Sequence, residues 1–510
     1  MKLSRTILPL ALFLVNWMVV SSCSRNEPVP KSAPAEKAAV TVSWEKVVRG
    51  SKTTPTLQVV VNPPLRRGSQ IHDRVFQALR ELGCDYVRYV PWLPYPKLGV
   101  AELDPPKDGR TSWDFSLIDP MTIDFLEATA GHSTILNFST IPQWMFKTPQ
   151  PVTYPQDPDQ VAWNYTQGTE LRDPSMKELS DYYMRLVSWY TKGGFTDELG
   201  KEHHSGHHYP IPYWEVLNEV DFEHNVTPQQ YTARYDAIVA AIHRVSPQTK
   251  FVGMALAIPG KNPGFFEYFL NHKNHKRGTP LDMISYHFYA SPSADQSPEV
   301  QQHTFFLQAD GFLDLVRYIE AIRQRLSPET KTTIDEIGAI SADDGEQAKP
   351  GHVTKTIPNS YWNLAGAMYA YIYAELAGLG VDVAGESQLV GYPTQFPSVS
   401  LVDWNTGQPN ARFWVLKLLR DNLGPGDKLV ETHSDNPYIY SLGFVSQDGR
   451  HKLLLINKRD RPTEVSVRGA VGGEQRYVDQ GTALKPPASL KLISETVNLG
   501  GLAVAIVIMP

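Results

Sequence analysis

Two acids stand where chemistry can be done. Ile211–His224, IPYWEVLNEVDFEH, reads as a short buried strand, Tyr213–Leu217, that stops on an amide and an acid, Asn218-Glu219, before a polar loop with two further acids. Lys331–Ile340, KTTIDEIGAI, is a second short β-branched run, and it finishes on Glu336. Trp214, Val216 and Leu217 would support Glu219 from behind, at the carboxyl end of a strand, where barrels and open α/β sheets keep their active sites. The two acids lie 336 − 219 = 117 positions apart, so only the fold can bring them together. Carboxyl groups on two strand ends suit cleavage of a glycosidic bond, one protonating the leaving oxygen while the other attacks or activates water.

The run Tyr213–Glu219 with a later strand-end Glu336 resembles clan A of the glycoside hydrolases, retaining enzymes built on (β/α)8 barrels whose fourth strand ends Asn-Glu and whose seventh ends Glu. Within the clan the chain is most similar to glycoside hydrolase family 39, the β-xylosidase and α-L-iduronidase family. The residues that carry this are Asn218-Glu219-Val220-Asp221 followed by Phe222 and a helix with Tyr231 and Tyr235, and Asp282–Tyr289, DMISYHFY, as a sixth strand bearing His287. Val220 departs from the family, which usually has proline after the acid.

The resemblance implies Glu219 as acid/base, Glu336 as nucleophile and Asn218 as holder of a sugar 2-hydroxyl. It further implies Arg88 on the second strand keeping the nucleophile ionised, His287 above the sugar pocket, Tyr289 bonded to substrate or nucleophile, and Glu386 on sugar hydroxyls. Arg88 and Glu386 have plain salt bridges as their structural alternatives, and Asp335 is the rival nucleophile. Neighbouring strand residues point to opposite faces, so only one of Asp335 and Glu336 is expected to face inward.

The elements that must position these residues follow in order. Strands are expected at Leu57–Asn62, Tyr86–Val90, Thr134–Phe138, Tyr213–Leu217, Phe251–Ala255, Met283–Tyr289, Thr332–Asp335 and Val381–Gly385, mostly continuous apolar runs of the kind buried on both faces. Helical spacing lies between them, as in Ile71, Val75, Leu79 and Leu82 closed by Gly83, and in Phe305–Leu326 and Tyr361–Gly378. Asp173-Pro174 reads as a helix start, and Thr227-Pro228-Gln229-Gln230 as a capping box. The long proline-rich loop Ser139–Asp173 sits where it would shape a substrate cleft, with Trp144 and Trp163 either stacking on sugar or packing the loop.

The fold class is therefore α/β, a (β/α)8 TIM barrel over residues 57–424, with a C-terminal antiparallel β-sandwich over 425–510. Tyr438–Val445, Lys452–Asn457, Glu464–Arg468 and Leu502–Ile508 supply short strands for that sandwich, and 41–56 is a segment able to join it. Residues 1–23, with Lys2, Arg5 and the apolar run Ile7–Val20, form an export signal. Val20-Ser21-Ser22-Cys23 fits lipoprotein processing with Cys23 as the acylated residue, and 24–40 reads as a flexible tether. The expected setting is the periplasm or cell envelope of a bacterium, with contact to membrane only through that lipid. With Cys23 lipidated, Cys84 is left alone and no disulfide framework exists.

A net charge of −6 and a pI near 6.2 give no basic field for nucleic acid. The partner implied is an oligo- or polysaccharide, and no cofactor is required. His203, His204, His207 and His208 suggest a metal loop, but Gly193-Gly194 and Ser205-Gly206 describe a solvated one, and the chemistry needs no metal. From Thr356 to Ala411 there is no Lys or Arg, where a uronic acid would want a forked cation, which tilts specificity to a neutral sugar, β-xylosidase-like. The alternatives are an α-L-iduronidase-like enzyme, an arabinofuranosidase, an endo-acting polysaccharide hydrolase of a sister family, or a barrel that binds carbohydrate without cleaving it.

Overall fold

The computed structural model describes residues 36–151, 153–165, 168–349 and 351–510. The expected export signal, Cys23 and most of the expected tether lie outside the described residues. Eight parallel strands close into a barrel: Thr54–Val60, Val87–Val90, Thr134–Leu136, Tyr213–Val216, Lys250–Leu256, Met283–Ala290, Lys331–Ala339 and Val383–Glu386, in ring order. The eighth pairs the first through Glu386 opposite Leu57, which completes the ring and removes every edge. Each strand is followed by helix, among them His72–Leu82, Asp119–Ala128, Lys177–Thr191, Pro228–Val245 and Ala411–Arg420.

Strand parity separates two cores. Ile135, Tyr213, Val252, Met283 and Val383 form a small cluster of their own, while their chain neighbours Leu136, Trp214, Phe251, Ile284 and Ala384 belong to the large core shared with the helices. The small cluster is therefore the plug inside the barrel. Every second residue onward from it shares the interior face while the strand lasts: Glu215 after Tyr213, and Ser285, His287 and Tyr289 after Met283.

Helix ends obey local chemistry. Gly83 closes its helix at φ 53, and Thr227 with Gln230 forms the reciprocal capping box. Asp173 does not cap the first turn directly; the helix begins at Lys177, after Met176 at φ 61, and Asp173 Oδ2 accepts from Glu178 N across the intervening turn. The helix expected from Phe305 starts earlier, at Pro298 after Ser297. The helix Asn359–Leu379 is buried along almost its whole length, because barrel covers one side and the second sheet the other; Tyr371 meets Tyr440 at 5.1 Å.

Gly194–Thr196 pairs with Glu202–His204 in a separate two-stranded sheet, and nine further strands build one sheet. Glu36–Gly50 lies within it, paired with Lys428–Ser434 on one side and Thr463–Val467 on the other. Glu36–Val40, read from the sequence as the end of the tether, is thus already strand, and its pairing with Thr463–Val467 is parallel in an otherwise antiparallel sheet. Cys84 is buried and unpaired. Among the described residues no helix is long and apolar enough to cross a membrane.

Candidate active site

At the carboxyl end of the barrel, Arg88 is the hub of a buried charge network. It is 1 % exposed, two positions after Tyr86 and so on the interior face of the second strand. Its Nε donates to Glu215 Oε2 at 2.5 Å and lies 3.1 Å from Asp335 Oδ2. Nη1 donates to Glu336 Oε1 at 2.5 Å and to Gln58 Oε1 at 2.7 Å, and Nη2 to Asn218 Oδ1 at 2.6 Å. One guanidinium thus ties together strands one, two, four and seven, a use that its rigid fork of donors permits. Burial pulls the Arg88 pKa down, but the charges of Glu215, Asp335 and Glu336 outweigh it and raise it, so Arg88 is a permanent cation.

Glu336 accepts from Arg88 on one oxygen and from the Tyr289 hydroxyl at 2.5 Å on the other. Burial alone would raise its pKa; His287, Arg88 and the two hydrogen bonds overcome that and lower it below the ordinary carboxylate range. Glu219 has the opposite displacement. Burial raises it, the charge of Glu336 adds to the rise, and the hydrogen bond with His287 only partly offsets both.

His287 stands between the two acids. Its Nδ1 is 3.0 Å from Glu219 Oε1 and 3.5 Å from Glu336 Oε2, while Nε2 is 3.5 Å from Asp335 Oδ1. Burial depresses the imidazole, yet the acids, Glu336 first, raise its pKa to about 9. An oxygen of Glu219 and one of Glu336 lie within 4.8 Å of each other and of a His287 nitrogen. Among the described residues those three are the ones able to converge on a metal ion, but a cation there would first have to displace the proton that His287 holds.

Backbone geometry delivers Glu219. Leu217 at φ 66 and Glu219 at φ 42 leave the extended conformation, as do Met254 at φ 91 and Ala255 at φ 44 on the adjoining strand, and Glu219 N donates to Ala255 O at 2.9 Å. Four non-glycine residues in this region of φ/ψ space is costly backbone, of the kind held in place at functional sites. Asp221 then pins the following loop by accepting from Ala257 N and Ile258 N.

A cavity of about 680 Å³ opens over Glu219 and Glu336. Trp92, Trp163, Phe222 and Phe396 give it broad aromatic walls, and among the described residues lining it there is no Lys or Arg. Asn218 and Tyr289 also line it. Trp163 is therefore a cleft residue. Trp144 is not: it donates to Glu102 O and lies beneath the Arg172 guanidinium at 4.5 Å.

Glu386 is not gathered into the cavity. It is fully buried and accepts from Arg412 Nε at 2.8 Å, with burial raising its pKa to about 7 against the pull of Arg412. The expected contact with sugar hydroxyls is corrected to an ion pair: Arg412 is the first Lys or Arg after the stretch Thr356–Ala411, and it reaches back to the end of strand eight.

The expectation that Asp335 and Glu336 face opposite ways also fails. Strand seven has a register irregularity between Thr333 and Glu336 against strand six and between Ile334 and Ile337 against strand eight, so both acids reach Arg88. Asp335 lies below the cavity floor, raised well above the usual carboxylate range by burial and by the charge of Glu215. The histidines of the 203–208 loop do not converge; His203 pairs with Asp197 at 2.9 Å and His207 with Asp119 at 3.2 Å.

Sequence reasoning passed over Glu215, Gln58 and Glu223. Glu215 accepts from Asn137 Nδ2 at 2.7 Å and Ser285 Oγ at 2.5 Å besides Arg88. A charged residue in the middle of the buried run Tyr213–Leu217 was the available signal, since such residues are seldom buried unpaired.

No protein-family model matches the chain, and no curated protein matches it. Solved structures do. The family 51 arabinofuranosidase from Xanthomonas axonopodis pv. citri superposes with a TM-score of 0.62 at 13% identity, covering 93% of this chain and 100% of that one. The family 30 endoxylanase from Clostridium papyrosolvens C71 gives 0.54 at 14%, over 92% and 99%. The alpha-L-arabinofuranosidase from Thermotoga maritima gives 0.57 at 14%, over 93% and 100%. The chain shares the fold of these glycoside hydrolases. Family 39 is not among the families these structures name, so the likeness shows the fold and leaves the family to the motifs.

Proposed function

We propose that this protein is a retaining glycoside hydrolase acting on a neutral sugar. The observation that carries the reading is the pair Glu219 and Glu336, delivered by strands four and seven, with oxygens within 4.8 Å and with pKa values displaced in opposite directions. Two carboxyls about 5–5.5 Å apart suit double displacement, whereas inversion needs room for a water between them. Glu336, ionised, attacks the anomeric carbon while Glu219 passes its proton to the leaving oxygen. Glu219, now a carboxylate, takes a proton from the water that displaces Glu336. Tyr289 and Arg88 hold the attacking oxygens in place, and Asn218 offers its amide beside them.

Specificity follows from charge. Among the described residues lining the cavity there is no Lys or Arg to pair with a uronate carboxylate, an arrangement that suits an uncharged ring against aromatic walls. A β-D-xyloside is favoured by the motifs around Glu219 and His287. An α-L-arabinofuranoside is the second reading, favoured by the likeness in fold, over 93% of this chain, to family 51 arabinofuranosidases. Proton NMR of the first sugar released from 4-nitrophenyl glycosides tests the reaction class: the account expects the anomeric configuration of the substrate, and an inverted product refutes it.

A further inference from the structure

Glu223 is an acid of the cleft that the double displacement does not use. The loop after Glu219 folds back on itself, Phe222 N and Glu223 N both donating to Glu219 O at 2.8 and 2.7 Å, which turns the Glu223 side chain into the cavity wall. One of its oxygens is fully engaged: Oε1 accepts from Trp92 Nε1 at 2.6 Å and from Asn218 Nδ2 at 2.9 Å. The other, Oε2, is buried with no hydrogen-bond partner.

That asymmetry points to a ligand. A carboxyl kept only to brace Trp92 would leave a buried oxygen unsatisfied at a cost of about 1–3 kcal/mol, which proteins rarely retain without use. The brace itself is rigid. Trp92 is packed between Trp163, 5.3 Å away edge-on, and Phe396, 6.2 Å away and stacked. Asn218, whose Oδ1 is held by Arg88, completes an unbroken chain from Arg88 through Asn218 and Glu223 to Trp92. Glu223 is thus fixed in orientation, its free oxygen beside an aromatic wall of the cavity that Glu219 also lines.

We propose that Glu223 is a specificity-determining residue of this cleft, its free Oε2 taking a ring hydroxyl of the bound neutral sugar while Oε1 stays anchored on Trp92 and Asn218; this rests on the glycosidase reading above. Burial, with the charge of Glu219 added, raises its pKa to about 8, so near neutrality the group is a neutral acid able to donate as well as accept. It then adds no further negative charge beside the ionised Glu336, and it can serve an oxygen of either hydrogen-bonding sense.

The test measures kcat/KM of the wild type, Glu223→Ala and Glu223→Gln on 4-nitrophenyl β-D-xyloside, α-L-arabinofuranoside, β-D-glucoside and β-D-galactoside. Monodeoxy analogues of the best substrate follow. The wild type should disfavour one monodeoxy analogue by about 10–100-fold, the loss of one buried hydrogen bond. Glu223→Ala should lose that factor on the parent sugar and nothing further on that analogue, while Glu223→Gln recovers part of it. An equal loss on the parent and on every analogue, or no loss at all in an active wild-type background, overturns the proposal and leaves the glycosidase reading standing. A wild type inactive on all four parents and on xylan overturns both. If thermal melting shows Glu223→Ala unfolded, the same ratio is read from Glu223→Gln.

Discussion

A single imidazole bridges the two acids: His287 Nδ1 lies 3.0 Å from Glu219 Oε1 and 3.5 Å from Glu336 Oε2. Its pKa of about 9 makes it cationic through the neutral range, so it lowers both carboxyls at once. Turnover needs Glu336 ionised and Glu219 protonated, which places the acid limb of the kcat/KM profile at Glu336 and the alkaline limb at Glu219. The acid limb should fall below the ordinary carboxylate range and the alkaline limb above it.

Removing the imidazole should therefore move both limbs to higher pH. In His287→Ala, kcat should drop by about 10–100-fold, less than the ~10²–10⁴-fold of a missing general acid, because Glu219 itself remains. A pH–rate series on the variant checks this, and limbs that stay where the wild type has them would assign His287 to packing alone.

Arg88 carries a different prediction, since it balances three acids. Arg88→Lys keeps the charge but loses the fork that reaches Glu215, Gln58, Glu336 and Asn218 together. Glu336 should rise in pKa, shifting the acid limb upward and lowering kcat/KM at pH 5 more than at pH 7. Arg88→Met, which takes the guanidinium away from Glu215, Asp335 and Glu336 together, should cost about 3–5 kcal/mol and yield little folded protein, followed by circular dichroism in urea.

The pair Glu386 and Arg412 should matter to stability and little to substrate. Arg412→Met strands a buried carboxyl that its partner now holds at 2.8 Å. The folded variant can keep Glu386 only as the neutral acid, while the unfolded chain ionises it above its ordinary pKa, so the penalty grows as pH rises. The urea midpoint should fall by the equivalent of about 3–5 kcal/mol near neutrality and by less near pH 5. KM for a cleaved glycoside should stay near the wild-type value in the folded fraction.

Much of this arrangement was legible in the chain. The barrel strands are short apolar runs bounded by Gly, Pro and polar turns, and burial on both faces leaves few other places for them. Glu219 and Glu336 stood out because each ends such a run. Asp335 shows the limit: alternation assigns one residue of an adjacent pair to each face, and the irregularity before Glu336 that lets both point inward is a backbone event with no residue signature here. Glu386 shows another. Its partner Arg412 is 412 − 386 = 26 residues on, in the closing helix, and the distance in space depends on how that helix packs under strand eight. Glu223 was visible only as one of two loop acids, since its worth lies in contacts with Trp92 and Asn218 that the folded-back turn creates.

The central claim is that Glu336 forms a bond to sugar. Intact mass after incubation with 2-deoxy-2-fluoro xyloside, glucoside, galactoside and arabinoside, followed by peptide mapping, tests it most directly. The account predicts one glycosyl unit per chain, on the peptide carrying Glu336 and on that residue, with release on dilution into a competing acceptor. An adduct mapped to Asp335 or Glu223, or a folded protein that cleaves a glycoside yet takes no label from its fluorinated counterpart, would contradict it.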